Sequence, residues 1–290
     1  MKKLTVALAV YNEERNLDAC LDSVKNNADE IVIVEGSSTD RTVEIARKYN
    51  AKVIITDNPP MFHLNKMKAI KASTGDWILQ LDADERVSPR LAAEIKNIIN
   101  LNENELDEYE QNLPRKNLFL RHQKLLEERD GEVGKNTGEY AAFFLPRANY
   151  FLGRYLMHGG VYPDGVIRLF KNGKAYLPCK DVHEQYVVDG RVGWLSQDLL
   201  HYDSPTFSKY IMKNNRYTKL MAMDMKKDKS GYSLKRGLNY LFIKPVLWFF
   251  LTFIRHKGFE DSWQGFVFSL FSSLRFPISY IKFVSIAVSK

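Results

Sequence analysis

The sequence predicts an α/β fold: a mostly parallel sheet flanked by helices, followed by a helical C-terminal region. Three observations predict it. Four short apolar runs, at 4–10, 31–34, 53–56 and 77–81, alternate with segments whose apolar residues recur at helical spacing. Four such strand–helix units in about 100 residues call for parallel strands with helices on both faces. After Pro205 the strand pattern stops and the charge balance inverts. Lys and Arg number 15 there against 4 Asp and Glu, a net +11 in a chain of +7, so residues 1–204 sum to −4.

Taken in order, Leu4 to Val10 is strand-like, and Tyr11-Asn12-Glu13-Glu14 leads into a helix carrying Leu17, Cys20, Leu21 and Val24 on one face. Lys2 and Lys3 precede an apolar run too short for a signal peptide and without a small-residue cleavage site, so a buried strand in a non-exported chain is expected. Ile31 to Val34 forms a second strand. The loop Glu35-Gly36-Ser37-Ser38-Thr39-Asp40 is rich in helix-capping types and opens a helix through Tyr49. A third strand at 53–56 is followed by a helix through Leu64, Met67 and Ile70. After the turn Thr74-Gly75-Asp76, Trp77 to Leu81 is a buried strand interrupted only by Gln80, ending in Asp82-Ala83-Asp84-Glu85. Ser88 and Pro89 suit the cap and first turn of a helix with Leu91, Ile95, Ile98 and Ile99 on one face.

From about 101 to 138 the alternation fails, and the polar sequence reads as a partly helical excursion over the site or at an edge. Strands resume at 140–145 and 165–170. Asp189-Gly190 suggests a hairpin within 187–194, and 199–202 reads as one more strand. A catalytic domain of 1–204 and a helical region of 205–290 are expected. Hydrophobic content of 45% and charged content of 27% are those of a globular chain. Cys20 and Cys179 lack metal-type spacing and point to a reducing compartment.

Parallel strands place Asn12-Glu13, Glu35, Asp57 and Asp82/Asp84 on one sheet edge, where open α/β sheets bind ligands. Converging carboxylates repel unless a cation or polar ligand offsets them. Of the pair Asp82 and Asp84, one can hold a divalent cation and the other a sugar hydroxyl, since hard cations take one or two carboxylates plus phosphate oxygens. A glycine-rich dinucleotide fingerprint and a P-loop are both absent.

The segments Val6 to Glu14, Val34 to Thr42, Asn65 to Ala69 and Leu81 to Glu85 resemble, in order and spacing, the motifs of family 2 glycosyltransferases over about residues 4–100. His158 to Asp164, Ile167 to Phe170, Val182-His183-Glu184 and the basic helical tail resemble the subgroup acting on lipopolysaccharide cores and related envelope glycans. The resemblance implies a Rossmann-like GT-A fold, a nucleotide-diphosphate sugar donor, a divalent metal (Mg or Mn) and inversion at the anomeric carbon. Carried over by position, Asn12, Glu13 and Glu35 line the nucleoside pocket, Lys68 lies near base or phosphate, and Asp82 contacts ribose or sugar. Asp84 ligates the metal, with His201 as the preferred further ligand over His158, and Glu184 is the general base beside His183. A separate base is required because a cation holds the lone pairs of its own carboxylates. Position 35 departs from the family pattern, carrying Glu in place of the usual Asp.

In the tail, Trp248, Phe249, Phe250, Phe253, Trp263 and Phe266 interleave with Lys and Arg among aliphatic runs, a pattern that suits helices lying in an anionic bilayer interface better than nucleic acid. A helical core under the catalytic domain is the plainer alternative. The expectation is therefore a metal-dependent inverting glycosyltransferase, peripheral on the inner face of the cell membrane, using a lipid-linked or envelope glycan acceptor and no nucleic acid. The rivals are a sugar nucleotidyltransferase and a non-catalytic membrane-surface scaffold on a transferase fold.

Overall fold

In the structure, a computed structural model that describes residues 1–180, 184–227 and 233–288, the chain divides into two compact units. The first comprises Met1–Arg147 and Pro163–His201, the second Ala148–Tyr162 and Tyr202–Lys290.

The first unit begins with the expected alternation: β1 (Leu4–Val10), α1 (Leu17–Val24), β2 (Glu30–Glu35), α2 (Thr42–Lys48), β3 (Lys52–Ile55), α3 (His63–Lys71) and β4 (Trp77–Leu81). These strands are parallel, with β1 between β2 and β4 and β3 outside β2. One face of β1 contributes Leu4, Val6, Leu8 and Val10 to a core shared with Leu17, Leu21 and Val24 of α1. The helix α4 (Pro89–Ile98) adds Leu91, Ile95 and Ile98 to that core, and Ser88 caps it by accepting from the Leu91 N–H at 3.2 Å. The helix α3 packs against β1, β2 and β4 with Ala69 and Ile70 buried.

Beyond β4 the sheet turns antiparallel. β8 (Asp164–Lys171) pairs with β4, and β6 (Tyr140–Phe151) pairs with β8. The full order is β3-β2-β1-β4-β8-β6-β12-β5, with β5 (Glu85–Val87) a short strand against β12 (Leu199–Ser204). No hairpin forms at 187–194. Val187 and Val188 (β10) pair with β9 (Ala175–Tyr176), whereas Arg191–Trp194 (β11) pairs in parallel with β6. The Asp-Gly turn redirects the chain because β6 offers an open edge to Val192–Trp194, which buries Trp194.

The excursion contains α5 (Glu103–Gln111), opened by a capping box between Asn102 and Glu105, and α6 (Lys116–Asp130). Phe119 of α6 stacks on Trp194 at 4.7 Å, and Phe144 stacks on the same indole at 4.6 Å. Gly165 is required beneath this stack, since a Cβ there would lie 2.2 Å from the Trp194 ring.

In the second unit, β7 (Arg154–Leu156) pairs with residues 149–151 of β6. The helix α7 (Phe207–Lys227) follows, then one continuous helical rod made of α8 (Leu234–Leu238), a π turn (Asn239–Ile243), α9 (Lys244–Phe250) and a second π turn (Leu251–Arg255). A short 3₁₀ turn (Gly258–Asp261) leads into α10 (Ser262–Val288). On α7 the buried residues are Thr218, Ala222 and Met225, while Tyr217 is exposed.

Candidate functional site

The C-terminal ends of the parallel strands carry the expected polar residues, but each is held in its own way. Asn12 takes a left-handed conformation (φ 53°), and its side-chain oxygen accepts from the Thr39 N–H at 2.9 Å. Glu13 accepts from the Asn16 side chain at 2.8 Å, and its backbone N–H donates to Thr42 Oγ1 at 2.8 Å. Glu35 is fully buried and accepts from the N–H groups of Ser37 (3.1 Å) and Ser38 (2.7 Å). It therefore shapes its own loop. Lys68 is exposed and donates to Thr56 Oγ1 at 2.7 Å, while the Asp57 carbonyl accepts from the Asn65 side chain at 2.8 Å.

Asp82 sits at the hub. Lys66 Nζ lies 2.6 Å from its Oδ1 and Arg168 Nη2 lies 2.5 Å from its Oδ2. Burial acts to raise the Asp82 pKa, but the Arg168 guanidinium and the Lys66 ammonium outweigh it and hold the carboxyl well below the usual carboxylate range. Arg168 also reaches the fully buried Glu85 at 2.8 Å and Gln80 Oε1 at 2.5 Å. Arg147 bridges Glu85 (3.4 Å) and Asp164 (2.7 Å). Glu85 in turn accepts from the Asp82 N–H at 2.9 Å, fixing the turn between the two aspartates. The chain's own cations thus offset much of the acidic cluster that the sequence left to a metal or ligand.

Asp84 faces His201. Its Oδ1 is 3.6 Å from His201 Nε2, and both side chains are partly exposed. The juxtaposition follows from the antiparallel β5–β12 ladder, in which His201 pairs with Glu85. A carboxylate oxygen and an imidazole nitrogen suit a divalent cation such as Mn²⁺ that completes its shell with phosphate and water oxygens. Among the described residues no group of three or more His, Cys, Asp or Glu side chains is gathered to hold a metal without such help. His158 is placed elsewhere, in the second unit, between Glu260 (3.0 Å) and Asp261 (3.1 Å).

Glu184 lies 3.3 Å from His63 Nδ1 and accepts from the backbone N–H groups of Cys179 and Lys180. Two residues on, Tyr186 donates to Gln80 Oε1 at 3.2 Å, and Gln80 donates to Asp82 Oδ1 at 3.3 Å. A chain of side-chain hydrogen bonds thus ties the Glu184 segment to Asp82. His183 lies outside the described residues.

Sequence reasoning missed Lys66, Arg168, Arg147, Tyr186 and His63 as members of this network. A signal was present for one of them, Arg168, and for its partner Gln80. Gln80 and Arg168 are lone polar residues inside buried strands, and a buried polar or charged group requires a partner.

The pattern of glycosyl transferase family 2 matches residues 5–142, a span that includes β1 to β4 and both aspartates. Residues 5–142 are a glycosyl transferase family 2 domain. An uncharacterised glycosyltransferase of Rickettsia typhi is 27% identical over 95% of this chain and 85% of its own length. A lipopolysaccharide core biosynthesis glycosyltransferase of Rhizobium meliloti is 26% identical over 91% of this chain and 85% of its own length. Among solved structures, glucosyl-3-phosphoglycerate synthase from Mycobacterium tuberculosis with Mn²⁺ and UDP-glucose is 21% identical, with a TM-score of 0.30. That match covers 34% of this chain and 39% of that one.

Proposed function

We propose that this glycosyltransferase moves a sugar, with inversion, from a nucleotide-diphosphate sugar to a hydroxyl of a lipid-linked or envelope glycan. The observation that carries the reading is the Asp82–Ala83–Asp84 turn. It presents Asp84 beside His201 at 3.6 Å while Asp82 is oriented by Lys66 and Arg168. In this reading Asp84 and His201 hold a divalent metal, which when bound neutralises charge on the departing nucleoside diphosphate. Asp82 accepts from a hydroxyl of the ribose or sugar, and Asn12, Glu13, Glu35 and Lys68 shape and line the nucleoside side of the cleft.

Glu184 is the proposed general base. Its hydrogen bonds to Cys179, Lys180 and His63 orient the carboxylate, and the acceptor hydroxyl must displace one of them to be deprotonated. The likeness to a lipopolysaccharide-core transferase supports an envelope acceptor.

The helical region after residue 204 is read as resting on the inner face of the membrane. Leu234–Arg255 and Gly258–Ile286 are long and apolar enough to cross a bilayer by length and composition. Exposed Leu238, Phe242, Val246, Phe250 and Ile254 recur every four residues along a single face of the rod. Pro245, Lys244 and Arg275 interrupt both helices, which supports an in-plane arrangement over a span.

The deciding experiment is a thermal-shift screen of the full-length protein against nucleotide-sugars with and without Mn²⁺. The expected result is stabilisation by one donor that depends on the metal and is lost in Asp84→Asn. Stabilisation by a donor equally well in chelator would refute the metal assignment.

A further inference from the structure

The two C-terminal helical segments 234–255 and 262–288 contain Lys235, Arg236, Lys244, Arg255, Arg275 and Lys282 and not one Asp or Glu. Some of these cations are accounted for within the unit. Lys282 donates to Asn215 O and to Thr218 Oγ1. Arg236 lies over the Phe283 ring and reaches the Met225 carbonyl at 3.5 Å.

Lys244 and Arg275 differ. Among the described residues no carboxylate or carbonyl receives either of them, and their neighbours are aromatic rings. Lys244 Nζ stands 3.7 Å from the Tyr240 ring centre and 5.8 Å from that of Phe276. The Arg275 guanidinium stands 4.4 Å from the Trp248 ring and 5.0 Å from Phe276. Both cations therefore flank one ring, and Trp248 lies one helical turn beyond Lys244.

Two N–H groups of this cluster, Arg275 Nε and Trp248 Nε1, are buried without any acceptor. A buried donor left unmade costs about 1–3 kcal/mol, more when it is charged. Burial also lowers the Arg275 pKa, with only Tyr210 opposing it. The three side chains are only half-buried, so the cluster is not sealed. Both helices are also irregular beside it. Lys244 precedes Pro245 and follows a π turn, and Arg275 lies two residues before Pro277 inside α10. Prolines and π turns hold a helix in a local shape that regular hydrogen bonding would not keep.

Two cations, a buried indole N–H and a guanidinium N–H with no acceptor form a donor set that lacks an anion. The surrounding helices are apolar outside, with Phe242, Ile243, Val246, Leu247 and Phe250 exposed beside Lys244 and Trp248. We infer that Lys244, Trp248 and Arg275 form a binding site for the phosphate group of a membrane lipid. The inference rests on the membrane reading above. The guanidinium supplies a fork and the ammonium a point charge, the combination that recognises phosphate.

The test uses full-length protein and phosphatidylcholine vesicles containing phosphatidic acid or, at matched surface charge, oleic acid, with bound protein measured by sedimentation. The wild type should prefer the phosphatidic acid vesicles by about tenfold, the worth of a charge-assisted hydrogen bond. Arg275→Gln and Lys244→Gln should each lose most of that preference, while Lys235→Gln should weaken binding to both vesicle types alike. Trp248→Phe keeps the ring, removes the N–H and should reduce the preference in part. An unchanged thermal midpoint confirms that each variant is folded. Equal wild-type binding to the two charge-matched vesicles would overturn the phosphate site and leave the membrane reading standing. So would a folded Arg275→Gln that keeps the preference. Binding to no vesicle would overturn both readings. Quenching of tryptophan emission by glycerol 3-phosphate without vesicles, lost in Arg275→Gln, would then reassign the site to free phosphate.

Discussion

Replacing Arg168 with Met should expose how much of the fold hangs on one cation. Arg168 is buried on β8 and reaches Asp82 (2.5 Å), Glu85 (2.8 Å) and Gln80 (2.5 Å). Methionine fills similar volume but leaves those acceptors without their donor. Removing one partner of a buried ion pair costs about 3–5 kcal/mol, because the other charge stays buried. The lower end applies here. Asp82 retains Lys66 at 2.6 Å and its side chain is 32% exposed, whereas Glu85 is fully buried and retains Arg147 at a longer 3.4 Å. The expected loss is therefore about 3 kcal/mol in urea denaturation at pH 8.

Glu85→Gln in the same background should restore about half of that loss by removing the uncompensated charge, a coupling within the range seen for contacting residues. The pH dependence should change as well. In the wild type the Asp82 carboxyl is held well below its ordinary 3.8, so its contribution is present above that value and lost only as pH falls through the folded pKa. Without Arg168, burial meets less opposition, the folded pKa rises, and acid destabilisation begins at a higher pH. A loss below about 1 kcal/mol, or strict additivity of the two substitutions, would refute the network as the organiser of this site.

Further expectations follow from the same geometry. Asp84→Asn should abolish transfer and the metal-dependent part of donor binding with the thermal midpoint nearly unchanged, checked by activity and donor titration; retained activity would remove Asp84 from the metal. Glu184→Gln should lower turnover by about 10²–10⁴-fold with donor affinity held, measured by steady-state kinetics, and an equal loss of donor affinity would make Glu184 structural. Burial pushes the Glu110 carboxyl up to about 7, although the Trp194 N–H donates to it. Its folded pKa is raised, so the fold is favoured below about pH 4.5 and the advantage disappears as pH rises through 7. Glu110→Gln should therefore stabilise the protein at pH 8 by about 2 kcal/mol, discounted for partial exposure, and should do little at pH 4. High salt should release part of the full-length protein from anionic vesicles, and release by detergent alone would indicate a span.

The apolar periodicity of residues 4–99 determined four parallel strands, their helices and the sheet edge that receives Asp82 and Asp84. Periodicity is a local property, and a buried strand or an amphipathic helix writes it directly into the chain. The capping signals at Ser88-Pro89 are legible for the same reason. What local pattern could not specify was partner choice. Whether Val187 to Trp194 closes on itself or splits between β9 and β6 depends on which edges remain open once the whole sheet has formed. Likewise Lys66 and Lys68 are two lysines two residues apart on one helix, yet one is buried on Asp82 and the other is exposed beside Thr56. The helix face, fixed by packing α3 on β1, β2 and β4, made that choice.

The sequence placed Asp82 among converging acids and called for a cation to offset them. Only the tertiary structure delivered Arg168 from a strand some 86 residues away, because an antiparallel β8 beside β4 lays its side chains against that turn. A second long-range pairing, of β5 with β12, set His201 beside Asp84. Sequence alone thus determined the elements and the chemistry at their ends, and sheet pairing decided which charges meet, since ion pairs form between residues that the chain's own order keeps far apart.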